Sequence, residues 1–376
     1  MSQGERGLTV AVTGPTGTFG FGLIPLLQAD DRIARIIGIA RRPFDPAGYG
    51  WTKLEYRRGD VRDPATLRDA FAAADVVVHL AFLITGAAPA EELRAVNVEG
   101  TLNAFRAAAA AGARRFVYAS SVAAYGFHHD NPVGMTEDWP VRPAARLFYA
   151  KEKAELEHLL QAEAASAAAA SAGAASAGAA SAEAAKGQAA APALYLLRPP
   201  IVLGPHALGA KDLLPGPLAP LGRGLASLAT RAGQAVRAGH LPRLPVLVPS
   251  MPFQCVHEQD LGDAFLRCVV ATGPPGAYNV AADGILTSAD VAREFGLLPL
   301  PMPAAPARIA ARAVAALPFL PPAAQWVEAA SHPAIMDTTK AKNELGWTPH
   351  YTALEALRDT QPSLPAGYDA QSLPPV

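Results

Sequence analysis

The chain has 376 residues, of which 51% are hydrophobic, enough for a sizeable core in one large or two closely associated domains. Its 32 Lys and Arg residues almost balance its 33 Asp and Glu residues, so the formal net charge is -1. This balance gives no general attraction to nucleic acid or to an acidic membrane, and we expect neither as a partner.

Two cysteines, Cys255 and Cys268, indicate a reduced, cytoplasmic setting without a disulfide framework. No segment has the pattern of a signal peptide or of a membrane span. The nine histidines show no metal-ligand spacing, so no metal site is predicted.

Short β-rich runs alternate with helix-like runs through the first 150 residues, which is typical of a parallel sheet with helices on both faces. The predicted strands span residues 8–13, 33–40, 54–59, 75–81 and 115–120. The predicted helices span residues 19–28, 64–74, 91–111 and 146–165. The pattern therefore predicts an α/β fold with a Rossmann-type, doubly wound parallel sheet.

An Ala-rich segment, residues 161–193, follows and contains 20 Ala among 33 positions. Its serines recur every five residues, which matches no helical face, and we expect a flexible or partly helical insertion. Strands are predicted at residues 194–199 and 278–281, and an amphipathic helix at residues 304–317. We predict a Rossmann domain over residues 1–203, a smaller substrate-binding subdomain over residues 204–361 with segments returning to the Rossmann domain, and a flexible tail over residues 362–376.

The first predicted strand runs directly into Gly14-x-x-Gly17-x-x-Gly20 and then into a helix. Glycine at these positions allows a tight turn, a close approach of the backbone to a pyrophosphate, and packing of the helix on the strand. The helix start adds free N–H groups and the positive end of its dipole. The loop therefore predicts a dinucleotide site, with contacts from Gly14, Thr16, Gly17, Thr18, Phe19 and Gly20.

The second predicted strand ends in Ala40-Arg41-Arg42. An acidic residue at this point would bind the adenosine ribose hydroxyls, whereas arginine suits a 2′-phosphate. We therefore predict NADP rather than NAD, the alternative being that Arg41 and Arg42 are ordinary solvated charges.

Tyr149 and Lys153 are four residues apart, which places them on one face of the predicted helix. A free tyrosine has a pKa of about 10, and a neighbouring ammonium group lowers it toward the range useful for acid–base catalysis. Ser120 and Ser121 follow the fifth predicted strand, and Ser121 lies 28 residues before Tyr149.

Together, the T-G-x-x-G-x-x-G loop, the serine segment and the Tyr-x-x-x-Lys pair resemble the extended short-chain dehydrogenases/reductases, the NAD-dependent epimerase/dehydratase family. The resemblance continues through Arg198-Pro199, Val256-His257 and Gly346-Trp347. It implies that Tyr149 exchanges a proton with the substrate oxygen, that Ser121 hydrogen-bonds this oxygen, and that Lys153 lowers the tyrosine pKa and holds the nicotinamide ribose. Hydride would pass between the nicotinamide and a substrate carbon.

The resemblance also implies further cofactor contacts and a homodimer, the usual assembly in the family. Asp60 would accept from the adenine amino group, and Asn97 would brace strands beside the active site. The full set of implied contacts is Asp60, Val61, Leu80, Ala81, Phe82, Asn97, Ala119, Ser120, Tyr149, Lys153, Pro199 and Ile201.

Two departures from the family pattern bear on the small-molecule substrate. Val122-Ala123-Ala124 replaces the Asp-Glu pair of the dehydratases, and residues 252–255 lack the arginine that binds a nucleotide-sugar diphosphate, although Arg243 could substitute. We therefore expect an alcohol dehydrogenase or carbonyl reductase acting on an apolar, non-nucleotide substrate. An NDP-sugar 4-epimerase or 4-ketoreductase, and a catalytically silent NADP(H)-sensing protein, remain as alternatives.

Overall fold

Seven short strands form one parallel sheet in the computed structural model, which describes residues 7–84, 89–145, 147–176, 191–207, 243–249, 251–302 and 332–360. Across the sheet they are β3 (Leu54–Arg58), β2 (Ile33–Ala40), β1 (Leu8–Thr13), β4 (Val76–His79), β5 (Arg115–Ala119), β7 (Ala193–Arg198) and β12 (Gly276–Asn279). All neighbours pair in parallel. The strand order reverses between β1 and β4, which creates the crevice where ligands bind in doubly wound folds. The predicted fold class is thereby confirmed.

Helices cover both faces of this sheet, and each face has its own hydrophobic core. The helices are α1 (Thr18–Ala29), α2 (Pro64–Phe71), α3 (Ala90–Arg94), α4 (Gly100–Ala110), α5 (Phe148–Ser176) and α6 (Glu258–Val269). Alternate strand residues point to opposite faces. Val10 and Val12 therefore pack with α1 and α6, while Ala11 packs with α2, α4 and α5.

Short elements lie outside the main sheet. The strands are β6 (Val133–Met135), β8 (Ile201–Leu203), β9 (Pro245–Pro249), β10 (Pro252–Phe253), β11 (Cys255–His257), β13 (Leu286–Thr287), β14 (Leu298–Met302) and β15 (Ile335–Met336). The helices are α7 (Ser288–Glu294), α8 (Thr339–Glu344) and α9 (Ala353–Asp359), with 3-10 turns at Pro46–Tyr49 and Val122–Tyr125. The strands form four two-stranded pairs: β8 with β11, β9 with β14, β10 with β13, and β6 with β15.

One predicted element has a different form. The single helix expected over residues 91–111 is divided by a π-helical segment, Ala95–Glu99, between α3 and α4. Such wide turns are rare and frequently accompany functional sites. The segment contains Asn97, whose side chain makes the hydrogen bonds described below.

Several other boundaries moved by a few residues. The second helix ends at Phe71 rather than residue 74, and the fourth strand is limited to Val76–His79. Helix α5 continues into the Ala-rich segment as far as Ser176. The helix predicted over residues 304–317 and the tail after residue 361 lie outside the described residues, and the boundary after residue 203 stays a prediction. Within the described part of the chain, no helix has the length and apolarity needed to cross a bilayer.

Candidate active site

The glycine-rich loop connects β1 to α1 at the crevice. Gly14 has a φ of +70°, and a Cβ atom there would lie 2.9 Å from the main-chain nitrogen of Ala81. A Cβ at Gly20 would lie 2.1 Å from the carbonyl oxygen of Pro15. At Gly17, by contrast, the nearest atom would be 3.6 Å away, and this glycine is exposed. Gly14 and Gly20 therefore serve the fold, whereas Gly17 leaves an open cradle at the helix start that suits a pyrophosphate.

The side chains beside the loop have different surroundings. The Phe19 ring packs on the core, 6.3 Å from the ring of Phe265 in α6, and is partly buried. The Thr18 hydroxyl donates to the carbonyl oxygen of His206 at 2.8 Å, which places the segment after β8 beside the start of α1. Thr16 is half-buried. The predicted cofactor contact of Phe19 would therefore come mainly from its main chain at the start of α1.

Arginines gather where β2 and β3 end. Arg41, Arg42 and Arg58 are exposed, and Nε of Arg58 donates to the carbonyl oxygen of Arg41 at 3.1 Å. Asp60 lies in the same corner, but its carboxylate forms an ion pair with Arg62, whose Nη2 is 2.7 Å from Oδ2. The hydrogen bond from Arg62 lowers the pKa of Asp60, against the opposing effect of burial.

Two further residues of this corner have structural roles. Asp63, and not Asp60, caps α2 by accepting from the main-chain nitrogen of Ala65 at 2.9 Å. Val61 is buried in the core against α2 and α4, with its side chain beside Gly100. The Val61 side chain is therefore engaged in the core, and its predicted cofactor contact would have to come from its main chain.

A buried polar chain follows the end of β4, beside Leu80, Ala81 and Phe82. His79 has no exposed surface, and burial lowers its pKa to about 3, so the ring is neutral. The Thr101 hydroxyl donates to the carbonyl oxygen of Asn97 and accordingly accepts from Nε2 of His79, 3.0 Å away. Nδ1 then accepts from the Thr13 hydroxyl at 2.9 Å. These hydrogen bonds connect the start of the phosphate loop to the π-helical segment.

Asn97 extends this connection to the catalytic helix. Its Oδ1 accepts from the main-chain nitrogen of Leu83 at 2.7 Å, and its Nδ2 donates to Leu83 O at 3.0 Å and to Glu152 Oε2 at 2.8 Å. Asn97 is fully buried. It therefore positions the loop after β4 against α5, as bracing would require, and its side chain is not placed to bind the cofactor directly.

Ser121, Tyr149 and Lys153 come together at the ends of β5 and α5. Each is less than 8% exposed, and a hydrogen bond links Ser121 with Tyr149. The Ser121 hydroxyl also caps the 3-10 turn that follows it, accepting from Ala123 N at 3.1 Å. The Lys153 ammonium lies 5.7 Å from the centre of the Tyr149 ring. The structure thus assembles the three predicted catalytic residues.

Burial sets the protonation of this group. It raises the pKa of Tyr149 to about 12, opposed by the Ser121 hydrogen bond, and lowers the pKa of Lys153 to about 7, opposed by Glu157 and Glu152. Tyr149 is therefore a protonated phenol at neutral pH. The expected lowering of the Tyr149 pKa by Lys153 is therefore not found, because burial has the larger effect. The phenol still carries the proton that a substrate oxygen would accept.

The walls around Tyr149 are apolar. Its buried neighbours are Ala123, Ala144, Leu147 and Ala150, and the partly buried side chains packed against them are Phe82, Ile84, Phe127 and Phe148. Phe82 stands edge-on to the Tyr149 ring, with the ring centres 5.5 Å apart. These side chains offer contact area and no charge to a substrate.

An ion pair that the sequence analysis missed supports the catalytic helix. Arg198 and Glu157 are at most 3% exposed, and Nε of Arg198 donates to Oε1 of Glu157 at 2.9 Å. Arg198 also donates to the Tyr125 hydroxyl at 2.6 Å, which donates to Asn279 Oδ1 at 2.8 Å. The available signal was Glu157 four residues after Lys153, on the same helix face.

The same network changes the role of Ser120. Its hydroxyl donates to Glu157, and the residue is 1% exposed, so the predicted cofactor contact through this side chain is not supported.

The other predicted contacts near the ends of β5 and β7 have these positions. The carbonyl oxygen of Pro199 accepts from the main-chain nitrogen of Val122 at 2.9 Å, and the carbonyl oxygen of Ala119 accepts from Lys153. Ile201 is 55% exposed in β8. Among the described residues, no three His, Cys, Asp or Glu side chains cluster as a metal site requires.

Comparison with known proteins adds three findings. An uncharacterized protein of Mycobacterium tuberculosis is 28% identical over 367 residues, covering 93% of this chain and 82% of that protein. Sterol demethylase protein B of Methylococcus capsulatus is 36% identical over 160 residues, which is 42% of this chain and 47% of that protein. The Bordetella bronchiseptica enzyme WbmG, solved with NAD and UDP, shares the fold with a TM-score of 0.63 at 17% identity, covering 96% and 94% of the two chains.

Residues 10–175 match the model of the NAD dependent epimerase/dehydratase family. This range runs from the first strand into α5 and includes the glycine loop, Ser121, Tyr149 and Lys153. The chain thus carries, over residues 10–175, a domain that matches the NAD dependent epimerase/dehydratase family model.

Proposed function

We propose that this protein is a nicotinamide-dependent oxidoreductase that interconverts an alcohol and a carbonyl group on an apolar, non-nucleotide substrate. The observation that carries the proposal is the Ser121–Tyr149–Lys153 group set among apolar side chains. The open cradle at Gly17 fits the pyrophosphate of the dinucleotide.

Each residue of the catalytic group has a separate role in the proposed reaction. When bound, the nicotinamide supplies or accepts the hydride. In the reductive direction Tyr149 gives its phenol proton to the substrate oxygen, and Ser121 hydrogen-bonds the same oxygen. The phenolate that remains is stabilised by the ammonium group of Lys153. The buried site excludes water, which strengthens these interactions.

The residue types at positions 252–255 support a non-nucleotide substrate. Nucleotide-sugar enzymes of the resembled family carry an arginine in the region of residues 252–255. Here Gln254 is buried, donating to Met336 O at 3.0 Å and accepting from Met336 N at 2.8 Å. The neutral amide of Gln254 offers no charge to a diphosphate. The relation to a sterol demethylase component points in the same direction.

We further propose NADP as the preferred cofactor. Three exposed arginines, Arg41, Arg42 and Arg58, lie at the ends of β2 and β3, and planar guanidinium groups suit a 2′-phosphate. Asp60, the acid of this corner, is neutralised by Arg62. A clear preference of the purified enzyme for NADH over NADPH in the same assay would contradict this assignment.

Turnover tests the main proposal. Oxidation of NADPH is followed with a panel of cyclic and steroid ketones and, in parallel, UDP-sugars. We expect turnover with ketones, loss of this turnover in Tyr149→Phe with NADPH binding retained, and normal turnover in Tyr195→Phe. Tyr195 is buried in β7 and donates to Gly273 O, away from the catalytic group.

The second candidate is an NDP-sugar 4-epimerase or 4-ketoreductase. It is favoured by structural neighbours solved with UDP or UDP-sugars, such as WbmG. Conversion of a UDP-sugar without ketone reduction would replace the main proposal by this one. Tight NADPH binding without turnover of any compound would instead identify a dinucleotide sensor.

A further inference from the structure

The ammonium group of Lys153 is held by the last two residues of β5. Lys153 is 3% exposed, and its Nζ donates to Ala119 O at 2.6 Å and to the hydroxyl oxygen of Tyr118 at 3.2 Å. On another side, Nζ lies 3.7 Å from the centre of the Phe82 ring. An ammonium group has three donors, so β5 satisfies two of them and the aromatic face covers the third direction.

We propose that Tyr118 is a positioning residue, whose phenol oxygen orients the ammonium group of Lys153 beside Tyr149 and keeps it charged. This inference rests on the proposed function, in which Lys153 stabilises the Tyr149 phenolate. Tyr118 itself would touch neither substrate nor the reacting atoms.

The physical reason is the cost of a buried charge with an unmade hydrogen bond. Removing the Tyr118 oxygen would leave one donor of a buried ammonium group facing carbon, which favours the neutral amine. Burial raises the pKa of Tyr118 well above its ordinary value, so this phenol remains protonated and acts on Lys153 as a neutral acceptor.

The other titratable groups near Lys153 are engaged elsewhere. On α5, Glu157 binds Arg198 and Ser120, and Glu152 binds Asn97; both still favour the charged lysine from a distance. On β4, His79 is neutral. Tyr149, on α5, hydrogen-bonds Ser121. The direct side-chain hydrogen bond described for Nζ therefore comes from β5, through Tyr118.

NMR titration of the cofactor-free protein tests this without a substrate. The chain has seven lysines, so carbon-13 labelled lysine side chains give few signals, and Lys153→Met identifies the one from Lys153. We expect Tyr118→Phe to lower the pKa of Lys153 by about one unit. The matched control Tyr195→Phe also removes a hydroxyl from a buried tyrosine of the sheet, and we expect no change there.

An unchanged Lys153 titration in Tyr118→Phe, or an equal shift in Tyr195→Phe, would overturn the inference. With a substrate in hand, a second readout is the pH profile of kcat, whose alkaline limb should move to lower pH only in Tyr118→Phe. If wild-type protein turns over no ketone or sugar, the proposed function fails, and the NMR titration still decides whether Tyr118 controls Lys153.

Discussion

The catalytic end of the predicted dinucleotide site is buried, whereas its adenosine end lies in solvent. Ser121, Tyr149 and Lys153 are all less than 8% exposed, while Arg41 and Arg42 are exposed beyond β2. Both ends use charge, but in different surroundings. At the buried end, an unpaired charge destabilises the folded protein and the pKa values of ionisable groups change strongly. At the exposed end, water and salt screen each electrostatic interaction.

This contrast separates residues that hold the site together from residues that select its ligand. Changes at the buried end should alter folding and protonation together. Changes at the exposed end should alter cofactor choice and leave stability almost untouched. Four experiments test the contrast.

The largest effect is expected at the buried ion pair. Glu157→Ala leaves the Arg198 guanidinium buried without its carboxylate, and we expect a loss of about 3–5 kcal/mol in the free energy of unfolding, measured by urea denaturation. The control is Glu163→Ala on the same helix, which removes the partner of Arg106 in a more exposed pair and should cost less than about 1 kcal/mol. Equal losses in the two variants would remove the distinction.

Lys153 should make stability depend on pH. Its pKa of about 7 in the folded protein lies below the ordinary value of 10.5, so between these values the unfolded chain binds the extra proton. Stability then rises with pH through this window, and the cost of the buried charge is fully present below it.

Lys153→Met removes this cost. The variant should be more stable than wild type at about pH 6.5. Because the stability of wild type rises with pH, this difference in the free energy of unfolding should shrink by about 2–3 kcal/mol by about pH 9.5, measured by urea denaturation of cofactor-free protein. For Lys151→Met, at an exposed position two residues earlier, the free energy of unfolding should change with pH as it does in wild type. A parallel curve for Lys153→Met would show that the buried lysine does not titrate in this range.

The glycine loop lies between the two ends and should separate folding from binding. Gly17 has a φ of -90° and an open neighbourhood, so Gly17→Ala should keep the melting temperature but weaken NADPH binding at least about tenfold, by occupying the cradle. Gly20→Ala should lower the melting temperature, because its Cβ would collide with Pro15. Normal NADPH affinity in Gly17→Ala would place the pyrophosphate elsewhere.

The smallest effect is expected among the exposed arginines. Replacing Arg41 and Arg42 together by Ala should reduce the NADPH-to-NADH affinity ratio about fivefold, with melting temperature unchanged, and the reduction should shrink in about 0.5 M NaCl. Arg32→Ala, at another exposed arginine of the same domain, serves as the charge control. A ratio that the double variant leaves unchanged would mean that these arginines are ordinary surface charges.

Local patterns predicted the main sheet well because its elements are specified by their own sequences. The strands at Leu8–Thr13 and Ile33–Ala40 have the predicted bounds, and α1 begins within one residue of its predicted start. The π-helical segment at Ala95–Glu99 was not predictable in this way. Its Asn97 side chain hydrogen-bonds Leu83 and Glu152, which are 14 and 55 residues away.

The two adjacent serines show the same limit within the site. Ser120 and Ser121 look equivalent in the sequence, yet one side chain meets Glu157 and the other meets Tyr149. Successive side chains at the end of a strand point to opposite faces, so only one of them can face the crevice. The side of β5 on which the crevice lies depends on how α5 packs against the sheet, and the local sequence does not predict this packing.

The sequence by itself determined the glycine loop, the Tyr149–Lys153 spacing and the resemblance to the family, because each depends on residues that are close along the chain. The tertiary structure decided the protonation of Tyr149 and Lys153, the Glu157–Arg198 pair, and the attachment of Lys153 to Tyr118. These depend on burial and on partners from separate strands and helices. The free energy of a charge is set by everything packed around it, and that packing exists only after the chain has folded.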